Sequence, residues 1–199
     1  GPKARYVLQK LTRTDLSSAS FPWLSAKQID VNLAPSVAAR VNFVGELGWE
    51  LHHPIEYQNH IFDALMSAGV EFGLKPFGIR AMDAMRLEKS YRMVGTEMSI
   101  EYAALESGLD RFVQLQKPDF IGRSGLLAWQ EKGFANSFVT LEVKDTTDRD
   151  VIGGNPIYKE SKLIGRATSG GYGFRIGKSL ALAMVASDCK DIGTSLEID

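Results

Sequence analysis

The sequence has 199 residues, of which 44% are hydrophobic and 24% are charged, as in an ordinary soluble globular protein. Its 23 basic and 24 acidic residues leave a net charge of −1, which argues against nucleic acid or a membrane surface as a partner. The single cysteine, Cys189, excludes an intrachain disulfide, and the three histidines lack zinc-ligand spacing, so we predict no metal site.

The first part of the chain is predicted to form a helix, a loop and two strands. Lys3–Leu11 carries apolar residues on one side and predicts a short helix. Phe21–Leu24 is an apolar patch beside a proline and predicts a loop packed on the protein. Two strand-like runs then fill residues 29–44 and separate at Pro35.

Two helices are predicted after these strands. Glu56–Ala68 has apolar residues at helical spacing and predicts an amphipathic helix, which Gly69 is well placed to end. Ile79–Met93 predicts a second helix whose charged side favours a solvated face. Arg80, at the start of that helix and beside free backbone N–H groups, is also a candidate anion ligand.

The C-terminal part is predicted to be mostly β. A helix capped by Ser124 and ended by Gly133 leads into it, and Gly170-Gly171 is interpreted as a turn. Alternating residues predict four strands, which are Ser137–Val143, Asn155–Lys159, Lys162–Ser169 and Leu180–Ala186. We therefore predict an α+β fold, with one domain over residues 1–117 and a β-rich second domain over residues 118–199.

The segment Val41–Leu51 is the richest in candidate chemistry. Its alternating apolar residues, with Gly45 and Gly48, predict a strand, a glycine-rich corner and a second strand. Glu46 and Glu50 lie among aromatic and aliphatic residues, where an unpaired carboxylate is costly and needs a donor partner. A flat heterocycle that presents several N–H donors would satisfy that need.

Glu50 has two interpretations at this point. As a strand-end carboxylate it would face solvent, which is the usual state of a glutamate. As a ligand residue it would bind an amide or guanidine-like edge through paired charge-assisted hydrogen bonds. Phe43 is more often a core residue than a ligand platform, and so is Trp23, although its proline-flanked loop favours a ligand contact.

Several segments resemble the aminomethyltransferase folate-binding family, to which the glycine-cleavage T-protein belongs. They keep the family's order and cover nearly the whole chain. In chain order they are Gly1–Arg5, Phe43–His52, Arg86–Lys89, Phe120–Arg123, Thr168–Gly173 and Lys178–Ala181. Within this family the chain resembles most the C-terminal folate domain of FAD-dependent dimethylglycine and sarcosine dehydrogenases. The implied fold is part of the folate-binding domain followed by a mostly antiparallel β-barrel subdomain.

The resemblance implies that four residues help to hold tetrahydrofolate. Glu50 matches the glutamate that hydrogen-bonds the pterin ring, and Trp23 matches an aromatic pocket position. Phe43 stands where many relatives carry a tyrosine, so the ring is kept and the hydroxyl is lost. Met82 replaces an arginine of the T-protein that helps to hold folate, and Arg80 is the candidate substitute.

The resemblance also implies a reaction. The whole protein is expected to oxidise an N-methylated amino acid with FAD, bound outside this chain, and to transfer the one-carbon unit to tetrahydrofolate. The family's catalytic aspartate lies upstream of Gly1-Pro2, so we expect no catalytic residue here and no turnover from this chain alone. A bacterial cytoplasm or the mitochondrial matrix is the expected location, in line with a lone cysteine.

Two other functions stay open from the sequence. One is a stand-alone aminomethyltransferase of the glycine cleavage system, or a folate-dependent demethylase, without FAD. The other is a folate-binding module without catalysis. The helix that begins at once and the strand-like end at Ser195–Asp199 predict a piece of a longer polypeptide, although Gly1-Pro2 is also a residue pair that tag removal leaves.

Overall fold

A computed structural model describes residues 1–146 and 149–199, which form two compact units, Gly1–Met82 and Asp83–Asp199. The helices are α1 (Ala4–Gln9), α2 (Gln58–Gly69), α3 (Ile79–Leu87) and α4 (Arg123–Lys132). The strands are β1 (Ala26–Val31), β2 (Ala34–Ala39), β3 (Glu50–His52), β4 (Asn136–Val143), β5 (Pro156–Lys159), β6 (Lys162–Gly173), β7 (Lys178–Ala186) and β8 (Glu197–Ile198).

The first unit contains a three-stranded antiparallel sheet in the order β1-β2-β3. Asn32 and Leu33 connect β1 to β2 with φ angles of 49° and 71°, the left-handed pair that a tight hairpin turn requires. Pro35 was predicted to separate the two strands, but it lies inside β2 opposite Asp30. The two-residue turn makes the division instead.

The core of the first unit lies on one face of this sheet. Side chains alternate between the two faces of a strand, so every second residue of β1 and β2 points inward, beginning with Ile29 and Ala34. These side chains pack with residues from α1, α2 and the connection between α1 and β1. The fully buried members are Leu8, Leu16, Phe21, Ile29, Val31, Ala34, Ala38 and Ile61.

The predicted helices exist but end differently. Gly69 is the last residue of α2 and has helical φ, while Gly73, with φ of 71°, makes the left-handed turn after a further 3₁₀ turn. Helix α3 ends at Leu87, not at Met93, and Ser90 takes φ of 55° just beyond it. No helix in the described residues is long and apolar enough to cross a membrane.

The second unit is built on a five-stranded antiparallel sheet in the order β4-β7-β6-β5-β8. Strand β7 lies between β4 and β6 and is buried from Leu180 to Val185. Gly170 and Gly171 were predicted to form a turn, but both lie inside β6 and pair with β7. A side chain at Gly170 would collide with the backbone of Val151, so glycine permits this close approach.

Helix α4 precedes this sheet. Ser124 was predicted to be the N-cap residue of this helix, but Ser124 lies inside the first turn. The N-cap position is taken by Gly122, which has φ of 91°. Gly133, with φ of 84°, ends the helix as predicted.

Candidate functional site

The outer face of the first sheet carries polar side chains on both of its edge strands, β1 and β3. Alternation along the strands leaves Gln28 and Asp30 of β1, and Glu50 and His52 of β3, exposed on this face. Pairing brings Glu50 opposite Ala39 and His52 opposite Val37. The sheet therefore presents carboxylate, amide and imidazole groups together in solvent.

Glu50 begins β3, and its side chain is 53% exposed. Its carboxylate lies 3.8 Å from Nε2 of His52, which is also largely exposed. The preceding Trp49 packs against the core, so Glu50 is not enclosed by aromatic residues as the sequence argument assumed. Its desolvation therefore does not demand a partner, but its oxygens are available to a ligand.

An open groove with a volume of about 730 Å³ lies on this face. Its lining residues come from the sheet and the adjoining loops, and they are Thr14, Gln28, Ile29, Asp30, Pro35, Ser36, Val37, His52, His53 and Pro54. His52 both lines the groove and approaches Glu50. The size falls within the range for small-molecule sites, and the lining offers hydrogen-bonding groups of both kinds.

Trp23 lies in the loop before β1 and is 56% exposed. The loop is held in place because the backbone N–H of Leu24 donates to the carbonyl of Arg40 and the N–H of Arg40 donates to Ser25. Leu24 has φ of 63°, so the loop turns sharply beside the tryptophan. Trp23 therefore presents a large ring from an ordered loop, as a ligand platform requires.

Phe43 lies in an irregular connection, not in a strand. Residues 40–49 have no regular structure, which corrects the prediction of a strand before Gly45. The side chain of Asn42 accepts hydrogen bonds from the backbone N–H groups of Val44 and Glu46, and Gly45 takes φ of 71°. These local bonds compete with strand pairing and keep Phe43 half-buried in a turn.

Arg80 is the second residue of α3 and is exposed, as its predicted place at a helix start requires. Met82, which stands at the family's arginine position, is half-buried. Within the described residues, Glu50, Trp23 and Arg80 share no hydrogen bond or ion pair. Their joint role in one site therefore stays a prediction.

Sequence reasoning missed a buried carboxylate in the second unit. Glu97 is fully buried and accepts hydrogen bonds from Oγ1 of Thr168 at 2.6 Å and Oγ of Ser169 at 2.5 Å. The backbone N–H of Met93 and the hydroxyl of Thr96 donate to it at 2.8 and 2.7 Å. The Thr168-Ser169 pair was part of a family motif, which is the signal that could have identified its partner.

Burial by itself raises the pKa of Glu97, but the hydrogen bonds from Ser169, Thr168, Met93 and Thr96 outweigh it and hold the pKa below its ordinary value. An ionised Glu97 thus links β6 to the segment after α3 through hydrogen bonds to both.

Arg86 belongs to the same cluster. It was predicted to lie on a solvated helix face, but it is 1% exposed. Its Nη1 lies 3.5 Å from Glu97, and its Nε donates to Asp83 at 2.6 Å. Arg86 and Glu97 therefore form a buried ion pair that organises the second unit.

Two family models match the chain. The GCVT N-terminal domain matches residues 1–117, and the glycine cleavage T-protein C-terminal barrel domain matches residues 136–199. The predicted α+β fold of a folate-binding-family domain followed by a barrel-type domain is thereby confirmed.

Curated relatives carry two kinds of name. "Dimethylglycine dehydrogenase, mitochondrial" of Homo sapiens is 44% identical in an alignment of 200 positions that covers 100% of this chain and 23% of that protein. An aminomethyltransferase of Desulfitobacterium hafniense is 33% identical over 199 residues, 100% of this chain and 53% of that protein. The chain thus spans about a quarter to a half of the length of these relatives.

A solved structure has the same fold. The crystal structure of glycine cleavage system aminomethyltransferase T from Bartonella henselae aligns with a TM-score of 0.85 at 22% identity. The alignment covers 100% of this chain and 53% of that one.

Proposed function

The chain belongs to the glycine cleavage T-protein family, and on this premise we propose that it is the tetrahydrofolate-binding part of a dimethylglycine or sarcosine dehydrogenase. The whole enzyme transfers the one-carbon unit of an oxidised N-methyl amine to tetrahydrofolate. The observation that carries the proposal is the 44% identity to human dimethylglycine dehydrogenase over the full chain, against 33% to the aminomethyltransferase of Desulfitobacterium hafniense.

A stand-alone aminomethyltransferase is the second candidate. It is supported by the names of both family models and by the larger share of the bacterial relatives that the chain covers, 53% against 23%. The two candidates share the folate site and differ in whether the longer polypeptide binds FAD.

In the proposed site Glu50 recognises the pterin ring. A carboxylate accepts two parallel N–H donors from an amide-like edge, and charge-assisted bonds of this kind are stronger than neutral ones. The exposed position of Glu50 at the start of β3, beside a groove of about 730 Å³, supports this role because its oxygens are open to a ligand. Glu46, the other carboxylate of this segment, lies within the irregular connection 40–49 and not in β3.

Trp23, Phe43 and Arg80 complete the proposed site. The exposed ring of Trp23 offers a stacking surface, and Phe43 offers a second ring without a hydroxyl. Arg80 is exposed in the first turn of α3 and provides a cation for the carboxylate end of folate.

Tetrahydrofolate supplies the amine that takes up the one-carbon unit. We place amine oxidation, FAD and the catalytic aspartate in other parts of the longer polypeptide, so the 199-residue chain binds folate without turnover. The location in a bacterial cytoplasm or the mitochondrial matrix is part of the same proposal, supported by the mitochondrial relatives.

The test is calorimetric titration of tetrahydrofolate into the protein and its Glu50→Gln variant. Loss of a hydrogen bond to a charged group costs about 1.5–3 kcal/mol, so binding should weaken about 10- to 150-fold. Glu56→Gln is the matched control, because Glu56 is an exposed carboxylate in the 3₁₀ turn after β3. Unchanged affinity in Glu50→Gln would remove Glu50 from the pterin site.

The longer polypeptide decides between the two candidates. Flavin absorbance in it, with amine oxidation retained in Glu50→Gln, supports the dehydrogenase. Aminomethyl transfer without flavin supports the aminomethyltransferase, and aminomethyl transfer by the 199 residues alone would show that the catalytic group has been misplaced.

A further inference from the structure

Two arginines of the first unit converge on one tryptophan. The Cζ atoms of Arg5, in α1, and Arg40, just after β2, each lie 6.0 Å from the centroid of the Trp49 ring. Both guanidinium groups also donate to the same hydroxyl, Oγ of Ser18, at 3.1 and 3.3 Å. The two cationic groups are therefore neighbours, although α1 and β2 are far apart in the sequence.

Most donors of this cluster lack an acceptor. Each guanidinium group has five N–H bonds, yet within the described residues the pair donates only to Ser18 and, from Arg40, to the carbonyl of Phe21 at 2.5 Å. The Nε atoms of both arginines and Nε1 of Trp49 are buried and have no hydrogen-bond partner. Buried donors are normally satisfied, so three in one place indicate an acceptor that the cluster is built to receive.

No acidic side chain of the described residues lies within ion-pair distance of the two guanidinium groups. Neither arginine forms an ion pair with a carboxylate in that part of the chain. Asp15 is three residues from Ser18, but it accepts from the backbone and hydroxyl of Ser17 and from the hydroxyl of Ser20. Two adjacent cations without a counter-charge repel each other, so an anion is the acceptor that would stabilise the cluster most.

We propose that Arg5, Arg40 and Trp49 bind the carboxylate group of a small molecule. The planar forks of the guanidinium groups match the two coplanar oxygens of a carboxylate, and the indole N–H adds a neutral donor. Ser18 is exposed and marks the side from which the ligand enters. The proposal does not rest on the folate assignment, because Trp49 packs against the core whereas Glu50 faces solvent.

The first test measures thermal unfolding while acetate replaces chloride at constant ionic strength. At about ten times its Kd, acetate should raise the unfolding midpoint by about 4 °C, because only the folded chain binds it. Arg5→Gln and Arg40→Gln should each weaken this effect at least about tenfold in acetate concentration. Arg13→Gln is the matched control, since Arg13 is an exposed arginine in the same unit and lies outside the cluster.

The second test observes the cluster directly and needs no arginine variant. The three tryptophans, Trp23, Trp49 and Trp129, give three indole N–H signals in a nitrogen-15 NMR spectrum, and Phe variants of the two outside the cluster assign them. Acetate should shift the Trp49 signal progressively and leave the other two in place. Inorganic phosphate should act more weakly, because its tetrahedral oxygens do not match the planar forks.

Three results would overturn the site. Equal midpoint shifts in acetate and chloride would mean that ions only screen the two charges. If Arg13→Gln lost the acetate effect as fully as the cluster variants, the effect would come from the net charge of the chain and not from a site. A Trp49 indole signal that does not move up to saturating acetate would mean that no carboxylate reaches the cluster.

Discussion

Replacement of Glu97 with glutamine should destabilise the second unit severely. Glutamine keeps the shape of the side chain but removes the charge, and its amide nitrogen can only donate. Both oxygens of Glu97 accept hydrogen bonds, one from Met93 and Thr96 and the other from Thr168 and Ser169, so in either orientation the amide nitrogen would face groups that now donate. Arg86, which is 1% exposed, would also lose its buried counter-charge.

The expected loss is about 3–5 kcal/mol, the usual cost of breaking a buried ion pair by removing one partner. Arg86 keeps its hydrogen bond to Asp83 at 2.6 Å, which favours the lower end of that range. Domains of this size are stable by about 5–15 kcal/mol, so the unfolding midpoint of the second unit should fall by about 10 °C or more.

The pH dependence follows from the lowered pKa of Glu97. Because the folded pKa lies below the ordinary value of 4.5, the carboxylate contributes its full stability above pH 4.5. That contribution is lost as the pH falls through the folded pKa. The difference in stability between the native chain and Glu97→Gln should therefore be constant near neutral pH and shrink in acid.

Amide hydrogen exchange measured by mass spectrometry separates the two units. Peptides from β6 and β7 should exchange faster in Glu97→Gln, while peptides from β1 and β2 serve as an internal reference. Glu142→Gln is the matched control, since the ion pair of Glu142 with Lys178 is solvent-exposed and screened. Equal protection of β6 in both variants, or a stability gap that widens in acid, would refute the role given to Glu97.

Two further predictions concern the second unit. Gly165→Ala should destabilise it by about 1–3 kcal/mol in denaturant unfolding, because a Cβ there would collide with the backbone of Met184. In the control Gly125→Ala, in α4, the added Cβ meets open space and should stabilise the unit by about 0.5–1 kcal/mol. Equal effects of the two substitutions would contradict the packing argument. Cys189 is buried, and the pKa of its thiol is raised first by burial and then by the neighbouring carboxylate of Asp188. Iodoacetamide should therefore react far more slowly with the native chain than with the unfolded one, and equal rates would refute this.

Much of the secondary structure could be predicted from local patterns. The strands β4, β5 and β7 lie within a few residues of their predicted ranges, because alternating residues report directly which side of a sheet is buried. Helix α2 was predicted from apolar spacing in the same way. The family was identified from segments whose order no local pattern explains, and the family models confirm it.

The candidate site was less predictable. Val41 and Phe43 alternate as in a strand, but the side chain of Asn42 captures two backbone N–H groups and makes a turn instead. Glu50 was placed among aromatic residues by its neighbours in sequence, yet it faces solvent while Trp49 and Leu51 on either side of it pack against the core. Its role in folate binding stays a prediction that the titration will test.

Charge alone misled the sequence analysis at Arg86 and revealed nothing at Glu97. A charged helix face is normally solvated, and only the tertiary contacts with Thr168 and Ser169, some seventy residues away, show that this pair is buried. The same holds for Arg5 and Arg40, which meet over Trp49 because β2 and α1 pack on one core. The sequence by itself determined the family and most elements, since these depend on local order and periodicity. The tertiary structure decided which charges are buried together, because burial depends on residues that are distant in the chain.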